Sequence, residues 1–214
     1  MFSRMNKISE GRFAILYKTK KPLKILKLKI PKCQKNQLLI KIKYSFICGS
    51  QMNEIYGKKG KDIYIPHVLG HEASGYVVDK GLNVNNFNKN DKVFLSWIKN
   101  KKIKNATPRY YYKNKKINSG QISTFSEYVV INKSNVYKVP KLVDLKTASL
   151  FGCAVPTGFG VVINNVSKIN KKKFVGIYGF GGIGLMALLA LNYFNIKKIY
   201  VVDKNIKNIR IAKQ

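Results

Sequence analysis

A mixed α/β protein is predicted: a β-rich first part, then the beginning of a parallel βαβ unit. Three observations carry this. Short apolar runs punctuated by glycine and proline fill residues 13–139. A glycine cluster, Gly179-Phe180-Gly181-Gly182-Ile183-Gly184, follows an apolar run at Phe174 to Tyr178. An apolar helix and a second strand ending on Asp203 come directly after it.

The second part is the more specific. Strand, GxGxxG turn, helix, strand and terminal acid within about thirty residues form a dinucleotide-binding fingerprint. Gly179 permits the tight turn, Gly181 lets the backbone approach a pyrophosphate, and Gly184 lets the helix sit close to the strand. Gly182 is a spare glycine in the cluster, and Ile183 starts the helix. Its N-terminus offers unpaired N–H groups to phosphate. Asp203 lies nineteen residues past Gly184, placed to accept hydrogen bonds from a ribose diol. A 2′-phosphate would meet a like charge there, so NAD is favoured over NADP.

The first part reads as strands and loops. Apolar residues alternate with lysine along residues 13–31, a half-buried strand that Pro31 ends. Gln37 to Ile47 alternates more clearly and runs into Cys48-Gly49-Ser50-Gln51. Ser50 caps a short segment from Gln51 to Tyr56. Strand character returns at Tyr76 to Val78 and Val93 to Trp97, around a loop at 81–90. Residues 99–121 are polar and basic, and read as a loop and the best candidate for disorder. Two short strands follow at 124–139, and a helix from Asp144 to Leu150. Gly152-Cys153-Ala154-Val155-Pro156-Thr157-Gly158 reads as a glycine-flanked turn. The change from strands to βαβ places a domain boundary there, with residues 1–152 and 153–214 on its two sides.

Composition excludes some classes. The net charge is +32, with 41 basic and 9 acidic residues among 214. A nucleic-acid protein is the first thought. All but four of the bases are lysines, spread from end to end among asparagine and isoleucine. Arginine is the side chain that reads guanine and stacks on bases. Compositional drift explains the charge better than a binding face, so no specific nucleic-acid partner is expected. No run reaches the roughly 18 apolar residues of a membrane span, and no signal peptide is evident. Cys33, Cys48 and Cys153 make an odd number, which suggests a reducing cytoplasm and thiol or metal roles.

Two cysteines and one histidine stand out. Cys48, His71 and Cys153 each sit in a glycine-flanked turn. Two thiolates and an imidazole suit zinc with a fourth position open. From composition alone, buried unreactive cysteines are an equal reading.

The chain resembles the zinc-dependent medium-chain alcohol dehydrogenases. The residues that carry the resemblance are Cys48-Gly49-Ser50, Gly70-His71-Glu72-Ala73-Ser74-Gly75, the 152–158 turn and the 179–184 glycines. They come in that family's order and spacing, over about residues 20–214. The resemblance implies a GroES-like catalytic domain in residues 1–152 and the first part of a Rossmann domain in 153–214. It implies one catalytic zinc on Cys48, His71 and Cys153, with Glu72 as the acid near the metal. Ser50 matches the hydroxyl that takes the substrate proton, and Thr157 a contact to the nicotinamide side. The expected activity is hydride transfer between NAD and a small alcohol or aldehyde.

The sequence departs from the family in four places. Gln51 stands where an acid usually supports the histidine ligand, which implies weaker zinc binding or slower turnover. Asn53 stands at the usual relay histidine. Residues 94–124 hold no cysteine, so no structural zinc is expected. Family members run to roughly 350 residues, so an interrupted chain is expected, without the family-type dimer. A catalytically dead fragment that keeps zinc is the competing reading, and a zinc-free quinone-reductase-like relative is a second.

Overall fold

The structure is a computed structural model that describes residues 8–98, 107–165 and 174–214. The chain divides into two compact units, residues 1–152 and 153–214.

In the first unit, β1 (Glu10–Leu16) and β2 (Lys24–Lys29) form an antiparallel hairpin. The alternation across 13–31 is therefore two strands, not one: the turn through Thr19, Lys20 and Pro22 interrupts it, with Lys20 at φ 60°. β3 (Gln37–Ser45), α1 (Gly49–Ile55), β4 (His67–Val68), β5 (Glu72–Lys80) and β6 (Lys92–Ser96) follow. Next come β7 (Tyr110–Tyr112), β8 (Lys115–Ser119), β9 (Tyr128–Asn132), β10 (Val136–Lys138) and α2 (Leu145–Ser149). Among the described residues these strands make two five-stranded sheets, ordered β2-β1-β4-β8-β7 and β10-β6-β5-β3-β9.

Each sheet has its own apolar cluster. Phe13, Ile15, Leu28, Val68, Tyr110 and Ile117 pack in the first, and Leu38, Ile40, Val77, Leu95, Val129 and Ile131 belong to the second. Residues 37–40 of β3 and 129–132 of β9 are buried on both faces where the two strands pair, and period-2 alternation with exposed lysines begins only at Lys41.

Part of the stretch expected to be an irregular loop is ordered. Tyr110–Tyr112 and Lys115–Ser119 pair as a hairpin. Its turn residues Lys113 and Asn114 both take positive φ, 45° and 63°, as a two-residue hairpin turn demands. Tyr110 is buried against the Phe13 ring, with centroids 4.8 Å apart. The flanking lysines and asparagines hid this strand pair in the sequence. Residues 99–106, the first part of that expected loop, lie outside the described residues.

Arg12 on β1 reaches Glu127, donating from Nε and Nη2 to Oε1 at 2.9 and 2.7 Å and from its backbone N–H to Oε2 at 2.9 Å. These bonds, the side-chain ones first, hold the Glu127 carboxyl below its ordinary value of 4.5. The unfolded chain therefore binds more protons as pH falls. The stability from this pair is present above pH 4.5 and is lost as pH drops through the lower, folded value. A series of urea midpoints below pH 5 should decline, and less steeply in Glu127→Gln.

In the second unit, α3 (Ala154–Ile163) is followed by β11 (Val175–Tyr178), α4 (Gly182–Tyr193), β12 (Ile199–Val202) and α5 (Ile206–Ala212). β11 and β12 pair in parallel, with α4 as the crossover, which is a Rossmann-type βαβ unit. Val162, Ile177, Phe180, Ala190, Leu191 and Ile196 form its core. Of the 152–158 stretch, expected as a turn, Gly152 closes a 3-10 turn, Cys153 precedes α3 and residues 154–158 are the start of that helix. Pro156 is accommodated because the first turn of a helix has N–H groups with no intrahelical acceptor. Among the described residues no single helix is long and apolar enough to cross a membrane.

Candidate metal and dinucleotide sites

Cys48 ends the loop after β3 and stands just before α1, while His71 stands just before β5. The chain around His71 is fixed by backbone bonds: the Thr124 and Phe125 amides donate to the carbonyls of Gly70 and Leu69, at 3.3 and 3.0 Å. A sulfur of Cys48 and a ring nitrogen of His71 lie within 4.8 Å of each other. Gln51, buried in the first turn of α1, joins them. Its Oε1 accepts from the Cys48 N–H at 3.0 Å, and its Nε2 meets His71 Nδ1 in a short contact. The other ring nitrogen, His71 Nε2, is buried with no hydrogen-bond partner.

A buried polar atom without a partner costs about 1–3 kcal/mol. It is accounted for when that atom is a ligand. Burial, followed by the positive charge of Lys59, holds the His71 pKa below its ordinary value, with Glu54 acting the other way. A neutral imidazole beside a thiol is the donor set that zinc takes.

Cys153 is the first residue of the second unit and lies one peptide bond from Gly152. Gly152 is anchored in the first unit, its carbonyl accepting from Ser96 Oγ at 2.9 Å. The Cys153 side chain is buried, and none of the three cysteines is in a disulfide. Cys33 stands apart, and burial pushes its thiol up to about 12, so it carries almost no thiolate near neutrality.

Glu72 begins β5 and is 3% exposed. Its carbonyl accepts from Ser45 Oγ and Thr124 Oγ1 at 3.0 and 3.2 Å. Ser50 lies in α1, and its Oγ accepts from Lys59 Nζ at 2.7 Å. The sequence reading missed Lys59, one lysine among many. It also missed a second group of possible ligands, Glu54, Asp62 and His67, in which His67 Nε2 lies 2.8 Å from Asp62 and 3.7 Å from Glu54.

In the second unit the glycine turn has the form its residues require. Gly179 is at φ 92°, and a Cβ on Gly184 would stand 2.2 Å from the Gly179 carbonyl oxygen. Nothing lies within 4 Å of where a Gly181 Cβ would be, so the backbone there is open to a ligand. Gly182 and Ile183 open α4, and Thr157 lies in the first turn of α3. Asp203 follows β12, and its carboxylate accepts from the Phe180 and Asn205 amides at 2.6 and 2.7 Å. The Asn205 amide, then the Phe180 amide, hold this carboxyl below its ordinary range. Asp203 thus ties the second strand to the glycine turn.

The sequence profile of the alcohol dehydrogenase GroES-like domain matches residues 34–141. The chain belongs to the medium-chain alcohol dehydrogenase family. An S-(hydroxymethyl)glutathione dehydrogenase of Photobacterium damsela subsp. piscicida is 26% identical over 96% of this chain. The alcohol dehydrogenase class-2 isozyme 2 of Oryctolagus cuniculus is 28% identical over 99%. The crystal structure of benzyl alcohol dehydrogenase from Acinetobacter calcoaceticus superposes with a TM-score of 0.81 at 25% identity, over 96% of this chain and 61% of that one. The chain spans 62–63% of the length of the two curated relatives.

Proposed function

We propose that this alcohol dehydrogenase chain holds one zinc ion on Cys48, His71 and Cys153 and serves NAD-linked interconversion of a small alcohol and its aldehyde. The observation that carries the reading is His71 Nε2, buried and unpartnered beside the Cys48 thiol. When bound, zinc would polarise the substrate oxygen and NAD would carry the hydride.

The chain's own residues would do the rest. Ser50 takes the substrate proton, and buried Glu72 sets the local charge near the metal. Gly181, Gly182, Ile183 and Gly184 present backbone N–H groups to the pyrophosphate at the start of α4, and Gly179 makes the turn that brings them there, its own N–H donating to the Val202 carbonyl at 2.8 Å. Asp203 keeps lone pairs for the ribose hydroxyls while its present bonds shape the turn. Thr157 offers a hydroxyl toward the nicotinamide.

A second reading is a domain that keeps zinc but does not turn over. One experiment separates the two. Metal analysis after reconstitution should give one zinc per chain, reduced to near zero in Cys48→Ser and His71→Ala. Titration with NADH followed by fluorescence, then assay with simple aldehydes, should show saturable binding and turnover. Zinc well below one per chain after reconstitution sinks the metal reading. One zinc with no NADH binding leaves the metal domain alone.

A further inference from the structure

We propose that Lys59 supplies the proton that Ser50 passes to the substrate oxygen during carbonyl reduction. This rests on the oxidoreductase reading above and deepens it by one residue.

Lys59 is held in one place by three features. Its Nζ donates to Ser50 Oγ at 2.7 Å and to Glu54 Oε2 at 3.3 Å. The chain after α1 turns back on the helix, with the Gly57 and Lys58 amides donating to the Glu54 and Asn53 carbonyls at 3.0 and 2.8 Å. Glu54 is itself placed, 3.7 Å from His67 Nε2, and His67 is fixed by Asp62 at 2.8 Å. The Lys59 side chain is 47% exposed. One ammonium therefore touches both the Ser50 hydroxyl and bulk water. Asn53, earlier on the same helix, carries an amide that does not release a proton near neutrality.

The step balances. The carbonyl carbon receives a hydride from the dihydronicotinamide co-substrate, and the C=O π pair becomes an oxygen lone pair. That oxygen takes the Ser50 hydroxyl proton. Ser50 regains a proton from the Lys59 ammonium, and the neutral amine is reprotonated by water. Alcohol oxidation runs the same transfers in reverse. Lys59 acts through Ser50, so it is a positioning and proton-supplying residue.

The test uses the full chain loaded with zinc, aldehyde and NADH. Lys59→Ala should lower kcat about a hundredfold, the lower end of general acid catalysis, with KM changed less than threefold. Ethylammonium in the buffer should restore at least tenfold of the loss. Lys59→Arg should stay slow, because a guanidinium keeps the charge but does not give up its proton. A readout without turnover accompanies these: the Nζ resonance of Lys59 in 15N NMR should move on Ser50→Ala. The proposal is overturned if Lys59→Ala keeps its rate within twofold, if ethylammonium rescues nothing, if Lys59→Arg matches the parent, or if Ser50→Ala leaves the Nζ signal in place. Absence of aldehyde reduction by the zinc- and NADH-bound parent overturns the oxidoreductase reading itself, and this assignment with it.

Discussion

Replacing Gly152 by alanine should destabilise the first unit by about 3 kcal/mol or more, the upper range for overpacking a site that cannot yield. The added Cβ would stand 2.2 Å from the Leu95 carbonyl oxygen and 2.6 Å from Glu72 Cβ. Both neighbours belong to paired strands, since Glu72 on β5 faces Ser96 on β6 and Ala73 faces Leu95. Relief requires moving the ladder or the chain at Gly152. Moving the chain also breaks the Ser96 hydroxyl bond to its carbonyl and carries Cys153 along through one peptide bond. Gly49→Ala is the contrast. It lies in α1 with nothing within 4 Å of the new methyl, so it should be neutral or stabilising by up to about 1 kcal/mol. Urea unfolding followed by the fluorescence of Trp97, the single tryptophan, reads both. Equal midpoints for the parent and Gly152→Ala would show that the strands have slack at this point.

The glycines made much of the fold legible. Gly179 and Gly184 are constrained by the turn itself, so the βαβ unit could be read from order and spacing. Cys48 and His71 stood out in the sequence as candidate ligands because zinc accepts few side chains and the chain has only two histidines, and the structure puts their side chains near one another. Lysine obscured the rest. It flanks Tyr110–Tyr112 and Lys115–Ser119, where the inward residues Tyr110 and Ile117 carry the pattern alone. It also makes Lys59 indistinguishable by composition from its neighbour Lys58. The partners of Asp203 were beyond sequence reading for a different reason. A carboxylate after a Rossmann strand is compatible with ribose hydroxyls and with backbone amides alike, and only the path of the 179–184 turn brings the Phe180 amide to it. Proline at 156 misled locally, because the same residue that breaks a helix interior is tolerated in its first turn.

Gln51→Glu should raise zinc affinity about tenfold to a hundredfold, the usual size of an effect from a group that orients a ligand. The reason lies in donor and acceptor counts. The Gln51 amide has one acceptor oxygen, and the Cys48 N–H occupies it. Its NH2 faces His71 Nδ1, so Nδ1 must accept and the ring proton sits on Nε2. Zinc at Nε2 needs the opposite arrangement, with the proton on Nδ1, and a donor would then face a donor. Turning the amide over moves the conflict to the Cys48 N–H. A carboxylate has two acceptor oxygens: one keeps the Cys48 bond and the other takes the proton of Nδ1. The same change buries a charge at a position only 3% exposed, which is costly without a positive partner. The metal-free variant should therefore melt below the parent and the zinc-loaded variant above it. Competition against a chelator of known affinity measures the first effect, and thermal unfolding with and without zinc measures the second. Unchanged affinity in Gln51→Glu would mean that His71 does not bind metal through Nε2.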